Sequence, residues 1–227
     1  KMMSSNSPQA HVGSKRGCFR SQGSPFIGQR RNTLSKLIEV AVLSSAMLLA
    51  GCEQVAILAL NQVETTSFTV EGATLFMEGE INSKTLKQFE AVIAQNPGIT
   101  TLVELEVPGS LDDDTMIPLA YRVRELGLTT HLTSTSRIYS GGVDLFLAGV
   151  NRTMENGAEI GVHSWSDGSR EAKNYPRDAL EHEQNRKYVE DMLGDDAFYW
   201  FTIYAAPADD IHIMSQDEIN TYGLLTK

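Results

Sequence analysis

Cysteine is scarce: Cys18 and Cys52 are the only two in 227 residues. That is too few for a disulfide framework or a paired-cysteine metal site. Positive charge is also short, with 19 Lys and Arg against 29 Asp and Glu and a formal net charge of -10. Nucleic acid is therefore excluded as a partner, because phosphate backbones demand clustered bases. No P-loop and no Gly-x-Ser-x-Gly motif occurs, and His182, in Glu181-His182-Glu183, has no second histidine at metal spacing. No cofactor or metal is expected. What the chain does have is 41% hydrophobic residues with 7% aromatics, enough for a core. At roughly 150 residues per domain, the length predicts one compact domain with an appendage.

The charge is unevenly spread. Lys1, Lys15, Arg16, Arg20, Arg30, Arg31 and Lys36 precede residue 52 with Glu39 as the single acid, so the rest of the chain is strongly acidic. Residues 37–51 form an apolar stretch behind this basic region, too short and interrupted for a span of about 20 apolar residues. The pattern fits the apolar region of a secretory signal. The stretch ends in Leu49-Ala50-Gly51-Cys52, which resembles the lipobox of bacterial lipoproteins, cut before a cysteine that is then acylated. The resemblance implies a signal segment over 1–51, lipidation at Cys52, a tether over 52–66 and a lipid-anchored, periplasm-facing place in the cell envelope. Acyl chains would hold the protein to a bilayer without spanning it. Glu53 at the next position tilts the address to the outer membrane. Arg30-Arg31 resembles a twin-arginine signal, but its neighbours fit poorly.

From residue 68 the pattern turns strand-like, over 68–71 and 74–80 with Gly72 at a turn. Ser83 can cap a helix carrying Leu86, Phe89, Val92 and Ile93 at three- and four-residue spacing, ending before Asn96-Pro97-Gly98. A strand over 100–107 follows, broken by Pro108-Gly109-Ser110, then a helix with Met116, Leu119, Ala120, Val123 and Leu126. A short strand over 129–134, an apolar helix over 143–150 and a strand over 158–163 complete the alternation, which predicts an α/β fold around a mainly parallel sheet. Residues 166–196 are polar and read as a helical surface insertion. Residues 197–204 are too aromatic to be exposed, and should pack on the core or line a cleft.

Two positions could do chemistry. Ser140 stands before Gly141-Gly142 and the apolar helix, where a hydroxyl is accessible and backbone N–H groups are available to an oxyanion. The same tripeptide also suits an ordinary helix N-cap behind a flexible loop. His163 closes a strand between small residues, Gly161 and Ser164, and can take a proton from a serine at neutral pH. Core histidines satisfied by a carbonyl are equally common. Asp112-Asp113-Asp114 reads as first-turn acids favoured by the helix dipole, His182 as a solvated helix face and His131 as structural.

The run from Ser140 to Gly149, then Gly157-Ala158-Glu159-Ile160-Gly161-Val162-His163, resembles the core of the Clp protease proteolytic subunit and the wider ClpP/crotonase superfamily. There a serine opens a buried helix ending in Ala-Gly, and a histidine follows some two dozen residues later on a strand. Val107-Pro108-Gly109-Ser110 resembles the turn that supplies an oxyanion donor, and residues 214–224 the closing helix with its Tyr-Gly-Leu end. His163-Ser164-Trp165 and Ile211-His212 are similar to a subgroup of periplasmic ClpP-like serine proteases. The resemblance spans residues 70–165 and 205–226, and implies a ββα-repeat spiral over 67–227 with a helical insertion near 166–196.

For chemistry the resemblance implies Ser140 as nucleophile, His163 as base and the Gly141 and Ser110 amides as oxyanion donors. Asp210, with Asp209 behind it, would orient the imidazole, although the register is one residue off. His212 beside that acid could tune it instead. Ser110 replaces a glycine, and Ile138-Tyr139 replace small residues ahead of the nucleophile. The expected function is a serine hydrolase of the cell envelope, most plausibly a peptidase acting on peptides or proteins. Many members form rings, so self-association is an open expectation. The rival is an idle relative using the same cleft as a binding or interaction module on the membrane surface.

Overall fold

In the computed structural model, residues 64–111 and 113–226 are described. The chain divides into Lys1–Met47 and Leu48–Lys227, and every described residue belongs to the second unit. The signal segment, Cys52 and nearly all of the tether therefore lie outside the described residues. Among the described residues, no helix is long and apolar enough to cross a membrane.

The domain opens with a hairpin. β1 (Thr66–Glu71) and β2 (Thr74–Gly79) pair antiparallel, and Gly72 makes the turn at φ +59°, where a side chain would be strained. α1 (Thr85–Gln95) follows and buries Phe89. A unit of two strands and a helix then recurs. β3 (Thr101–Glu104) and β4 (Glu106–Val107) precede α2 (Asp113–Glu125), and β5 (Thr129–Leu132) and β6 (Arg137–Tyr139) precede α3 (Gly141–Leu147). β7 (Asn151–Met154) and β8 (Glu159–Val162) lead into two short 3₁₀ turns, then α4 (Glu183–Leu193) and α5 (Ala197–Ala205). β9 (His212–Ile213) and α6 (Gln216–Thr221) finish the domain.

Each repeat gives one strand to each of two sheets. The first has the order β1-β2-β3-β5-β7 and the second β4-β6-β8-β9. All pairings are parallel except the opening hairpin and β8 with β9. The chain thus folds as α/β, in repeated ββα units with mainly parallel sheets, as expected.

The transfer between sheets is where structure and pattern part. The single strand expected over 100–107 is two: the Leu105 N–H still donates to Met77 of the first sheet at 2.9 Å, while its carbonyl accepts from Arg137 of the second at 2.7 Å. Ser136 fixes the next crossing, its hydroxyl donating to the Glu104 carbonyl at 2.5 Å. The two sheets and α1–α3 enclose Leu75, Met77, Leu102, Leu132, Ile138 and Ile160, all fully buried. α3 lies at the centre, with six of its seven residues buried, which accounts for its apolarity at nearly every position.

Two side-chain devices hold the end of the chain. The buried Arg152 guanidinium donates to the carbonyls of Gly149, Gly223 and Leu224. Ser215 and Glu218 form a capping box at α6, each satisfying the other's backbone N–H. Together they set β9 against β8, beside His163.

The expected surface insertion over 166–196 is only partly that. α4 turns Tyr188, Val189 and Met192 into the core, and the Tyr188 hydroxyl donates to the Asp144 carbonyl on α3 at 2.5 Å. His182 is no solvated face residue: it is 1% exposed and ringed by Trp165, Tyr175, Tyr199 and Trp200 at centroid distances of 4.9–6.2 Å. The Tyr199 hydroxyl lies 2.6 Å from His182 Nδ1 and accepts from Trp165 Nε1 at 3.0 Å. Glu181 and Glu183 signal a polar helix, but the aromatics that bury the histidine come from three other segments.

Candidate active site

Ser140 ends a strand and begins a helix. Its N–H donates to the Gly161 carbonyl on β8 at 3.1 Å, continuing the β6–β8 pairing, and its carbonyl accepts from Val143 at 2.8 Å inside α3. Between these two commitments the backbone turns at φ +51° and ψ −124°, and Ser140 is the only non-glycine with positive φ among the described residues. Such a conformation costs on the order of 1–3 kcal/mol and persists only where the surroundings impose it. A serine on a strained strand-to-helix turn is held with its hydroxyl outward. The geometry is present here without the Gly-x-Ser-x-Gly signature.

Glycines make the room. A Cβ on Gly109 would lie 3.3 Å from Ser140 Cβ, and one on Gly141 would lie 2.6 Å from Ser110 Cβ and 3.0 Å from Ser110 N. The Pro108–Ser110 turn and the start of α3 are therefore in direct backbone contact. Ile81 fixes the turn from both sides, its N–H donating to the Gly109 carbonyl and its carbonyl accepting from Leu111, each at 2.9 Å. Gly141 is the first residue of α3, where an N–H has no intrahelical acceptor.

His163 follows β8 and lines the same cavity as Ser140 and Gly141. Its Nδ1 is buried without a hydrogen-bond partner. No hydrogen bond joins Ser140 and His163 among the described residues, a common feature of an unliganded site whose contacts tighten on substrate binding. The expected acid makes no hydrogen bond to the buried Nδ1 of the imidazole. Asp210 is exposed, and its Oδ1 accepts from the Ile211 N–H at 2.8 Å; Asp209 is exposed as well. His212 is engaged elsewhere, with Nε2 2.9 Å from Glu218 Oε1 and its ring edge-on to Phe201. The physical reason is local: β9 is two residues long, and the loop before it satisfies its own backbone with the Asp210 carboxylate.

The rest of the cavity was not legible in the chain. Asp113 of α2, Val143 and Asp144 of α3, Val162 of β8, Asn185 and Val189 of α4, Trp165, and Phe198, Tyr199 and Thr202 of α5 complete its lining. The aromatic run over 197–204 does line a cleft. Asp144 is pushed up to about 7, first by burial and then by the charge of Asp113. Among the described residues, no Lys or Arg lines the cavity. Among the described residues, no cluster of His, Cys, Asp and Glu suits a metal ion.

No protein-family model and no curated protein matches this sequence. Solved structures do. One is a membrane-bound stomatin-specific protease in complex with a substrate peptide, 18% identical with a TM-score of 0.47, covering 66% of this chain and 71% of that one. Another structure of that protease is 16% identical with a TM-score of 0.48, covering 69% and 79%. An enoyl-CoA hydratase from Bacillus anthracis is 11% identical with a TM-score of 0.45, covering 71% and 69%. A protease and a hydratase score alike, so these likenesses do not choose between activities. What the chain itself shows is an α/β fold of repeated ββα units with two mainly parallel sheets.

Proposed function

We propose that this chain is a serine hydrolase, acting on peptides, in which Ser140 is the nucleophile and His163 the general base. The observation that carries the reading is the strained turn at Ser140, which opens into the cavity lined by His163. In the forward step the Ser140 oxygen attacks a carbonyl carbon while His163 takes the hydroxyl proton. The Gly141 amide, with Ser110 packed against it, faces the developing oxyanion. His163 then returns the proton to the leaving amine, and water releases the acyl group by the same route. The lipobox-like Leu49-Ala50-Gly51-Cys52 supports placing this activity on a bilayer surface of the cell envelope.

A fluorophosphonate probe tests the reading. Covalent labelling of the folded protein at neutral pH is expected, lost in Ser140→Ala and reduced at least 100-fold in His163→Ala. Asp210→Asn should label within threefold of the parent, because that carboxylate serves its own loop. The unpartnered His163 Nδ1 favours one alternative, an idle cleft used for binding. A folded protein that fails to label would establish that alternative.

A further inference from the structure

The cavity carries more charge than the proposed chemistry uses. Asp144 sits one helical turn beyond Ser140, and its carboxylate has no hydrogen bond or ion pair among the described residues. Its oxygens are also absent from the buried, unpartnered polar atoms of the fold, so they remain open to the cavity that Asp144 lines. Asp113 adds a second carboxylate to the same lining, held by Asn185 Nδ2 at 3.3 Å. Desolvation and Asp113 together disfavour the ionised form of Asp144. Among the described residues no Lys or Arg lines this cavity, while the carboxylates of Glu90 and Asp196 are paired with Arg122 and Arg186.

We propose that Asp144, with Asp113 beside it, is the specificity determinant of this site and selects substrates with a positively charged side chain, lysine or arginine, near the bond attacked by Ser140. The selection rests on the serine-hydrolase reading, but the cation subsite exists whether or not the serine reacts. An ammonium or guanidinium group donates to the carboxylate that the fold leaves without a donor, and the walls formed by Val143, Val189 and Phe198 cover the aliphatic stem of such a side chain. A glutamate side chain meets two like charges, and a leucine leaves the carboxylate desolvated and unpaired.

Two measurements on the full chain test this. Matched fluorogenic peptides that differ only in the residue before the scissile bond are compared by kcat/KM. Lysine or arginine is expected to exceed leucine by about 100-fold, a size usual for a desolvated charge pair, with glutamate lowest. Asp144→Asn should bring the lysine-to-leucine ratio below tenfold, and Asp144→Glu should restore most of it, which separates charge recognition from damage to the fold. A ratio unchanged in Asp144→Asn, or a parent protein preferring leucine or glutamate, overturns the proposal while leaving the hydrolase intact. Where no peptide is cleaved and no fluorophosphonate label forms, the hydrolase reading fails and binding of p-aminobenzamidine, read by its fluorescence, decides. Saturable binding that survives Ser140→Ala and is lost in Asp144→Asn upholds the cation subsite. Absence of binding to the parent overturns it.

Discussion

Replacing Gly141 with alanine tests the proposed oxyanion pocket with one methyl group. The added Cβ would stand 2.6 Å from Ser110 Cβ, 3.0 Å from Ser110 N and 3.3 Å from Ser110 Cα, where carbon contacts normally settle at about 3.5–4.0 Å. Something must move by about 1 Å. α3 is buried along its length, and the Ser110 turn is bonded to Ile81 on both sides, so neither partner yields freely. Overpacking of this kind costs about 1–3 kcal/mol, and a domain of this size loses roughly 2–4 °C in Tm per kcal/mol. The effect on chemistry is larger, because losing one oxyanion donor lowers kcat by about 100- to 1,000-fold. The assay is the rate constant for fluorophosphonate labelling, corrected for the folded fraction by thermal melt. Gly149→Ala is the control: its Cβ would meet Thr130 Oγ1 at 2.2 Å and Thr130 N at 2.7 Å, outside the cavity lining. It should lower Tm while folded protein labels at the parent rate. If folded Gly141→Ala labels within threefold of the parent, the contact between Ser110 and Gly141 is not an oxyanion pocket.

Three further outcomes are expected. Ser140→Gly should melt above Ser140→Ala by the equivalent of about 1 kcal/mol, since glycine accepts φ +51° without strain; equal melting temperatures would mean the turn is unstrained. Tyr199→Phe strips the hydroxyl shared by Trp165 Nε1 and His182 Nδ1 and should cost about 2–4 kcal/mol by denaturant titration, one unpaired buried group each. Asp144 carries its proton in the folded state up to about pH 7, against a usual value of 3.8. Stability from this group is present below pH 4 and lost as pH rises to 7. Asp144→Asn should remove a slope worth at most about 4 kcal/mol across that window. A slope that the substitution leaves unchanged would refute the assignment.

The alternation of elements was legible because β2, α1 and α2 each carry a periodic apolar face and α3 is apolar at nearly every position. Of the second sheet, only β8 was legible as a strand of its own. β4 and β9 have two residues each and β6 has three, shorter than any period can register. β7, Asn-Arg-Thr-Met, reads as polar until Arg152 is seen buried against the end of the chain. The switch at Leu105 is invisible for another reason: one leucine between Glu104 and Glu106, in a stretch that reads as a single strand, gives no sign that its N–H and C=O serve different sheets. His182 shows the same limit for burial, since the four rings around it lie at sequence distances from 7 to 18 residues and on both sides of it.

The glycines of the site were legible as letters and misleading as chemistry. Read in sequence, Ser140-Gly141-Gly142 suggests flexibility, yet each glycine marks a missing Cβ. The one on Gly142 would sit 2.6 Å from the Val107 carbonyl, as the one on Gly141 would crowd Ser110. The spaces they leave let β4, its turn and α3 close on Ser140 and impose its backbone strain. A rigid nucleophile is the result. The imidazole is served less well, because nothing among the described residues fixes the proton at the buried His163 Nδ1. In serine proteases with a full triad, losing the orienting carboxylate lowers kcat by about 10,000-fold. A site built from Ser140, His163 and backbone amides alone should therefore acylate slowly unless bound substrate moves a partner to Nδ1. Labelling as fast as that of a triad protease would show that such a partner exists in solution, with the loop before β9 as its source.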